Sequence, residues 1–377
     1  MTATIRPEVT SVNEATLFVA FELSAKAWKL AMTSGFGMAP WLRTVPSGDL
    51  AAVERAITQA KSRFQLPVCG TVVSCYEAGR DGFWIHRALM TMGIRNRVVD
   101  SASIEVKRRL RRAKTDRLDA LKLVTMLVRA CGGERDVWRE VRVPLVADEA
   151  ARHVSRERLA LVQERTRLVN QIRSWLATWG CRLPARRGAG WWTRLCDWSG
   201  AALCAQLQAR IARATTRLAV LEDQIAELDA AQQAAVKSAA PESGLTRLVR
   251  LKSVATTSAC VLLEEGLLWR EFRNRRQVGG VLGFTPTPYQ SGERMYEQGI
   301  SRAGNQRMQA ISVQLAWQWI RWQPDSPITR WFHDRFATGG SRLRRIGIVA
   351  VARRLLIALW RYATTGVLPT GAIVKLA

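Results

Sequence analysis

Histidines, acids and long apolar runs are the scarce features of this chain. Its three histidines, His86, His153 and His333, stand far apart in 377 residues. The seven cysteines (Cys69, Cys75, Cys131, Cys181, Cys196, Cys204 and Cys260) include no C-x-x-C pair. A zinc site is not expected, so any metal must be held by oxygen. An odd, scattered set of thiols reads as reduced. No run of about 18 uninterrupted apolar residues is present; the best candidate, IGIVAVARRLLIALW, is broken by Arg353 and Arg354. A membrane partner is therefore not expected. The N-terminus lacks a basic-then-apolar leader, which predicts a cytoplasmic chain.

Acid is scarce as well, with 31 Asp+Glu against 57 Lys+Arg and a formal net charge of +26. A basic tail without a core is excluded, because 48% of the residues are hydrophobic. A folded chain with so cationic a surface takes a polyphosphate as its natural partner.

The length exceeds one typical core, and the pattern changes twice along it. Residues 1–145 read as an α/β unit. LFVAFEL (17–23), WKLAMTSG (28–35), TVVSCYEA (71–78) and RNRVVDS (95–101) are strand-like; 49–65, 81–93 and 114–130 have helical spacing. A hairpin followed by alternating strands and helices predicts a mixed sheet covered by helices. Residues 146–240 carry seven-residue repeats: Val154, Leu161, Leu168 and Trp175, then Ile211, Leu218 and Ile225 alternating with Ala214, Leu221 and Leu228. That is an a/d seam, predicting a coiled-coil arm, with two core helices of one bundle as the alternative. Residues 241–377 are mainly helical, interrupted by the Gly/Pro/Ser-rich stretch 278–305.

In so basic a chain, carboxylates at strand ends stand out. Glu22 and Glu77 each close a strand, and Asp116 and Asp119 lie three apart on one helix face. Four carboxylates around one point repel unless cations sit between them. Two Mg²⁺ ions about 4 Å apart would resolve that and would bind the attacking and leaving oxygens of a phosphodiester. Asp100, at the end of another strand, is a rival ligand. Just before the aspartates lies KRRLRRAK, in which Lys107, Arg108, Arg109, Arg111, Arg112 and Lys114 suit a backbone phosphate. Trp191 and Trp192, beside Arg186 and Arg187, suit stacking on unpaired bases.

FELSAKAWKL, CYEAG and KTDRLDA together resemble the RuvC-like, RNase H-fold domain of the DEDD insertion-sequence transposases. This family is related to the Piv DNA invertase and is known as the bridge-RNA-guided recombinases. Its first acid is usually Asp in a G-I-D strand, where this chain has Glu22; Glu77, Asp116 and Asp119 match without substitution. LGFTPTPYQSGERMYEQGISRAGN resembles the block that carries the family's nucleophilic serine, which falls on Ser291.

The resemblance implies a site-specific recombinase that cleaves and rejoins DNA through a phosphoserine linkage. Its site would be composite and Mg²⁺-dependent, with Ser291 supplied by one domain and the four acids by another, often across a dimer or tetramer. Arg294, Arg302 and Arg307 would hold phosphate. Donor and target DNA would be paired by a structured non-coding bridge RNA, in the bacterial nucleoid. Two departures stand out. The family's Gly-Ile-Gly hairpin is replaced by LKSVATTSA, with Ser253 and Ala255, and Gln309 occupies a commonly basic position. Two rivals remain: a RuvC-like Holliday-junction endonuclease using water, and a non-catalytic nucleic-acid scaffold.

Overall fold

The computed structural model describes residues 15–79, 81–104, 115–291, 294–301 and 304–375, with backbone alone at 102, 287–289, 291 and 296–298. The chain divides into two compact units, 1–144 and 145–377.

The first unit runs β1 (Thr16–Glu22), β2 (Ala27–Thr33), β3 (Trp41–Pro46), α1 (Leu50–Arg63), β4 (Thr71–Glu77), α2 (Trp84–Thr91), β5 (Arg95–Val99) and α3 (Asp116–Cys131). Its five strands form one mixed sheet in the order β3-β2-β1-β4-β5. β2 is antiparallel to both β1 and β3, while β1, β4 and β5 are mutually parallel. The period-2 alternation of β1 splits its side chains between two faces. Leu17, Val19 and Phe21 join Val53, Ile57, Ile85 and Leu89 of α1 and α2. Phe18 and Ala20 join Leu123, Val124 and Leu127 of α3. Burial on both faces makes β1 a near-continuous apolar run rather than an alternating one. The strand β3 was not foreseen: WLRTVP is a largely exposed edge strand and offers little apolar signal.

The second unit opens with two long helices, α4 (Val146–Ala177) and α5 (Ala205–Ser238). They run antiparallel, since Arg158 near the start of α4 pairs with Asp229 near the end of α5, and Arg210 near the start of α5 stacks on Trp175 near the end of α4. Of the α5 repeat, Ile211, Ala214, Leu218 and Ile225 are buried, while Leu221 and Leu228 are half-buried. In α4 the buried apolar positions are Leu168, Ile172 and Leu176, and the expected Val154, Leu161 and Trp175 are only half-buried. Trp191, foreseen as a base-stacking residue, is instead packed in the core of the α4–α5 connection, edge-on to Trp192.

The remaining elements are α6 (Gly244–Arg250), α7 (Thr256–Leu262), a π-helical turn (Leu263–Leu267), α8 (Arg275–Val281), β6 (Pro286–Ser291), β7 (Arg294–Ile300), α9 (Gln306–Trp322), α10 (Pro327–Phe336) and α11 (Ser341–Thr365). Their core is built around α11, whose Ile348, Val351, Leu355 and Leu359 meet Leu315 and Trp319 of α9 and Phe332 of α10. The Gly/Pro/Ser-rich interruption contains a two-stranded hairpin, β6–β7.

Candidate active site

Two of the four acids end strands of the sheet, and two open helix α3. Phe21 and Tyr76 are register partners on the parallel strands β1 and β4, so Glu22 and Glu77, one residue on, end those strands side by side. Asp100 follows β5 at the same edge, since Glu77 pairs with Val99. α3 is antiparallel to β1. A Cβ at Gly132, just past its C-terminus, would lie 3.5 Å from Phe36, near the end of β2 that pairs with the start of β1. The Cys75 thiol donates to the Leu123 carbonyl of α3 at 3.9 Å. From that contact Asp119 is one helical turn away, about 5.4–6 Å, and Glu77 is two strand residues away, about 6.6 Å. Asp116 and Asp119 therefore rise to the level of the strand ends.

Thr115 caps α3 by accepting from the Leu118 amide, and both aspartates fall in the first turn, where the helix dipole favours negative charge. The group implied by the resemblance is Mg²⁺, and carboxylate oxygen is the donor type it takes. Among the described residues, however, no three His, Cys, Asp or Glu side chains form a group able to hold an ion. The structure places Glu22 and Glu77 at the ends of adjacent strands and Asp116 and Asp119 in the first turn of α3. The basic run Lys107, Arg108, Arg109, Arg111, Arg112 and Lys114 lies outside the described residues, as does Arg302.

In the second unit Ser291 is the last residue of β6, paired in register with Arg294, the first of β7, at the closed end of the hairpin. Arg294 is exposed. The open end of the hairpin is tied down. The Ser301 amide donates to the Thr285 carbonyl at 3.0 Å and the Asn305 amide to that of Val281 at 2.8 Å. A Cβ at Gly304 would sit 2.6 Å from both the Gly283 nitrogen and the Val281 oxygen, so only glycine admits this approach of two backbones. Gln309 donates to the Leu282 carbonyl at 2.6 Å, which gives this uncharged residue a packing role.

Asn305 acts twice. Its Oδ1 caps α9 by accepting from the amides of Arg307 and Met308. Its Nδ2 donates to Glu265 Oε2 at 2.9 Å. Glu265 lies in the π-helical turn, 2% exposed, and accepts a two-pronged bond from Arg156 of α4 at 2.8 and 2.9 Å. Arg307 stands 3.8 Å away. Burial pushes the Glu265 carboxyl upward, but the bonds from Arg156 and Asn305 hold it below the ordinary glutamate range. Its neighbour Glu264 goes the other way: burial, with the Glu265 charge beside it, raises its carboxyl to about 7 against the bond from Ser155. Ser155 Oγ lies 2.5 Å from Glu264 and accepts from Gln232 of α5, which in turn accepts from Thr257 of α7. This network went unnoticed in the sequence. Its signal was two adjacent acids inside the apolar stretch VLLEEGLLW, where charge is costly unless it is paired.

The family described as "Transposase IS116/IS110/IS902 family" has a model that matches residues 245–330, a span holding Glu264, Glu265, the hairpin and Asn305. The protein y4rJ of Sinorhizobium fredii, which bears the name of a transposase, is 37% identical over 100% of this chain and 99% of its own length. A second similarly named protein of that organism, y4qE, is 28% identical over 71% of this chain and 62% of its own length. A protein of Pseudomonas aeruginosa named as a family 20 transposase is 26% identical, over 76% of this chain and 81% of its own.

Proposed function

Because the chain belongs to the IS116/IS110/IS902 family of transposases, we propose that it cleaves and rejoins DNA strands with Ser291 as nucleophile. The observation that carries this reading is the position of Ser291 at the closed end of a hairpin whose open end is fixed by Asn305 and Gly304, within the family's matched span. In this reading the Ser291 hydroxyl attacks a phosphodiester. Its oxygen would bond to phosphorus as the bond to the leaving strand oxygen breaks, and the proton lost from Ser291 would end on that oxygen. The phosphoserine linkage keeps the phosphodiester's energy, so the reverse step rejoins a strand without ATP. Arg294, exposed beside Ser291, is placed to neutralise the phosphate.

We read the first unit as an RNase H-like domain serving the same reaction. Its sheet order, with two parallel strands ending in Glu22 and Glu77 and a third followed by Asp100, supports that reading. Mg²⁺ held by Glu22, Glu77, Asp116 and Asp119 would supply charge neutralisation at the phosphate oxygens. The α4–α5 pair is read as a coiled-coil arm, supported by the buried repeat of α5. The resemblance further suggests a homodimer or tetramer guided by a bridge RNA.

The test places the gene with its flanking DNA on a plasmid and measures recombinant junctions in cells. Ser291→Ala and Asp116→Asn should each abolish them. Normal junction formation by Ser291→Ala would overturn the serine nucleophile, and strand cleavage without junctions in that variant would favour the water-using endonuclease; normal formation by Asp116→Asn would overturn the metal site.

A further inference from the structure

The α4–α5 pair is divided by charge along its length. Between 165 and 217 the sequence has ten arginines and one acid, Asp197. The parts nearer the rest of the unit, 145–164 and 218–240, have eight acids against four basic residues. The two ends also use their arginines differently. Near the base, Arg156 is spent on Glu265, Arg158 on Asp229, and Arg152 is buried over Trp269. Among the described residues, none of the ten distal arginines is in an ion pair, and Arg182, Arg186, Arg187 and Arg194 in the connection are all exposed. The lone acid is occupied, its carboxylate accepting from the Ser199 amide and hydroxyl and from the Ala201 amide.

That turn displays Trp198, 82% exposed. Its backbone is held, since its amide donates to the Trp179 carbonyl at 3.0 Å and its Cβ packs where a Cβ on Gly180 would lie, 2.8 Å away. A large indole fixed at its root and left in water costs solvation unless something covers it. Arginines without acidic partners in the same connection as an exposed aromatic ring match a strand whose bases are unpaired, with phosphates for the guanidiniums and a base for the ring. A duplex would satisfy only the first.

We propose that the distal end of the α4–α5 pair binds a single-stranded nucleic-acid segment, with Arg182, Arg186, Arg187 and Arg194 on its phosphates and Trp198 stacked on a base. This rests on the reading of the chain as a nucleic-acid recombinase, and adds a contact far along the chain from both Ser291 and the acids.

The test uses the full-length protein and fluorescent oligomers of about 20 nucleotides as single-stranded DNA, single-stranded RNA and duplex DNA, followed by anisotropy across salt. The quadruple Arg→Ser variant should bind the single strand about tenfold more weakly at roughly 0.1 M salt, with a salt slope smaller by up to about 2.8. Trp198→Ala should weaken single-strand binding about fivefold and duplex binding less than about twofold. Loss confined to RNA would identify a guide as the occupant, and loss confined to DNA an opened substrate strand; either supports the proposal. Unchanged single-strand binding by both variants, with a wild type that binds, would overturn the proposal alone. A wild type that binds none of the three probes would overturn the recombinase reading with it.

Discussion

Replacing Glu265 with glutamine keeps the volume of the side chain and removes its charge. The change strips two charge-assisted bonds from Arg156 and weakens the bond from Asn305. Hydrogen bonds to charged groups contribute roughly 1.5–3 kcal/mol each, and breaking a fully buried pair costs about 3–5 kcal/mol. Arg156 is 42% exposed and regains water when its partner goes, so the lower range applies. The expected loss for the second unit is about 2–3 kcal/mol. Urea unfolding followed by circular dichroism measures it, and the cycle Glu265→Gln, Arg156→Gln and both together isolates the pair. A coupling energy of about 1.5 kcal/mol or more is expected. Additivity within about 0.5 kcal/mol, or a single-variant loss below that, would refute the claim that this pair ties α4 to the segment leaving the hairpin. Arg307→Gln, removing a half-exposed cation 3.8 Å away, should cost under about 1 kcal/mol.

Three further outcomes are expected. Glu264 is raised in the fold to about 7 from an ordinary 4.5, so its contribution is fully present below pH 4.5 and lost as pH rises through 7. That loss is about 1–2 kcal/mol after allowing for its partial exposure, and Glu264→Gln should flatten this part of the stability–pH curve. Gly304→Ala drives a methyl into two backbones at 2.6 Å and should cost about 1–3 kcal/mol in the same unfolding assay. Mg²⁺ at about ten times its dissociation constant should stabilise the protein by about 1.4 kcal/mol, a rise of a few degrees in Tm. Glu77→Gln should abolish that rise, and a rise that survives in Glu77→Gln would remove Glu77 from the proposed ligands.

The positions of Glu22 and Glu77 at the close of apolar strands, and of Asp116 and Asp119 in the first turn of a helix, were legible because periodic elements begin and end there. The repeat of α5 was legible for the same reason, as a seven-residue spacing over more than two heptads. What escaped reading depends on tertiary context. β3 is an exposed edge strand, so its burial pattern carries no period. The β6–β7 hairpin holds two prolines and its only cues were turn residues, so it read as loop. Trp191 and Trp198 stand seven residues apart in the same arginine-rich connection, yet one is core and the other solvent-exposed. The connection reverses at Gly180, Gly190 and Gly200, all at positive φ, and no local pattern tells which indole is buried. The Glu264–Glu265 network joins positions more than a hundred residues apart, and adjacent acids in an apolar run announce only that partners must exist.

The most direct test of the central claim is to trap the protein on DNA from the ends of its own element, with Mg²⁺, and to map any denaturation-resistant adduct by mass spectrometry. A nucleotide phosphate attached to Ser291 is expected, absent without Mg²⁺ and absent in Ser291→Ala. Strand cleavage with no adduct, or an adduct on another residue that persists in Ser291→Ala, would contradict it.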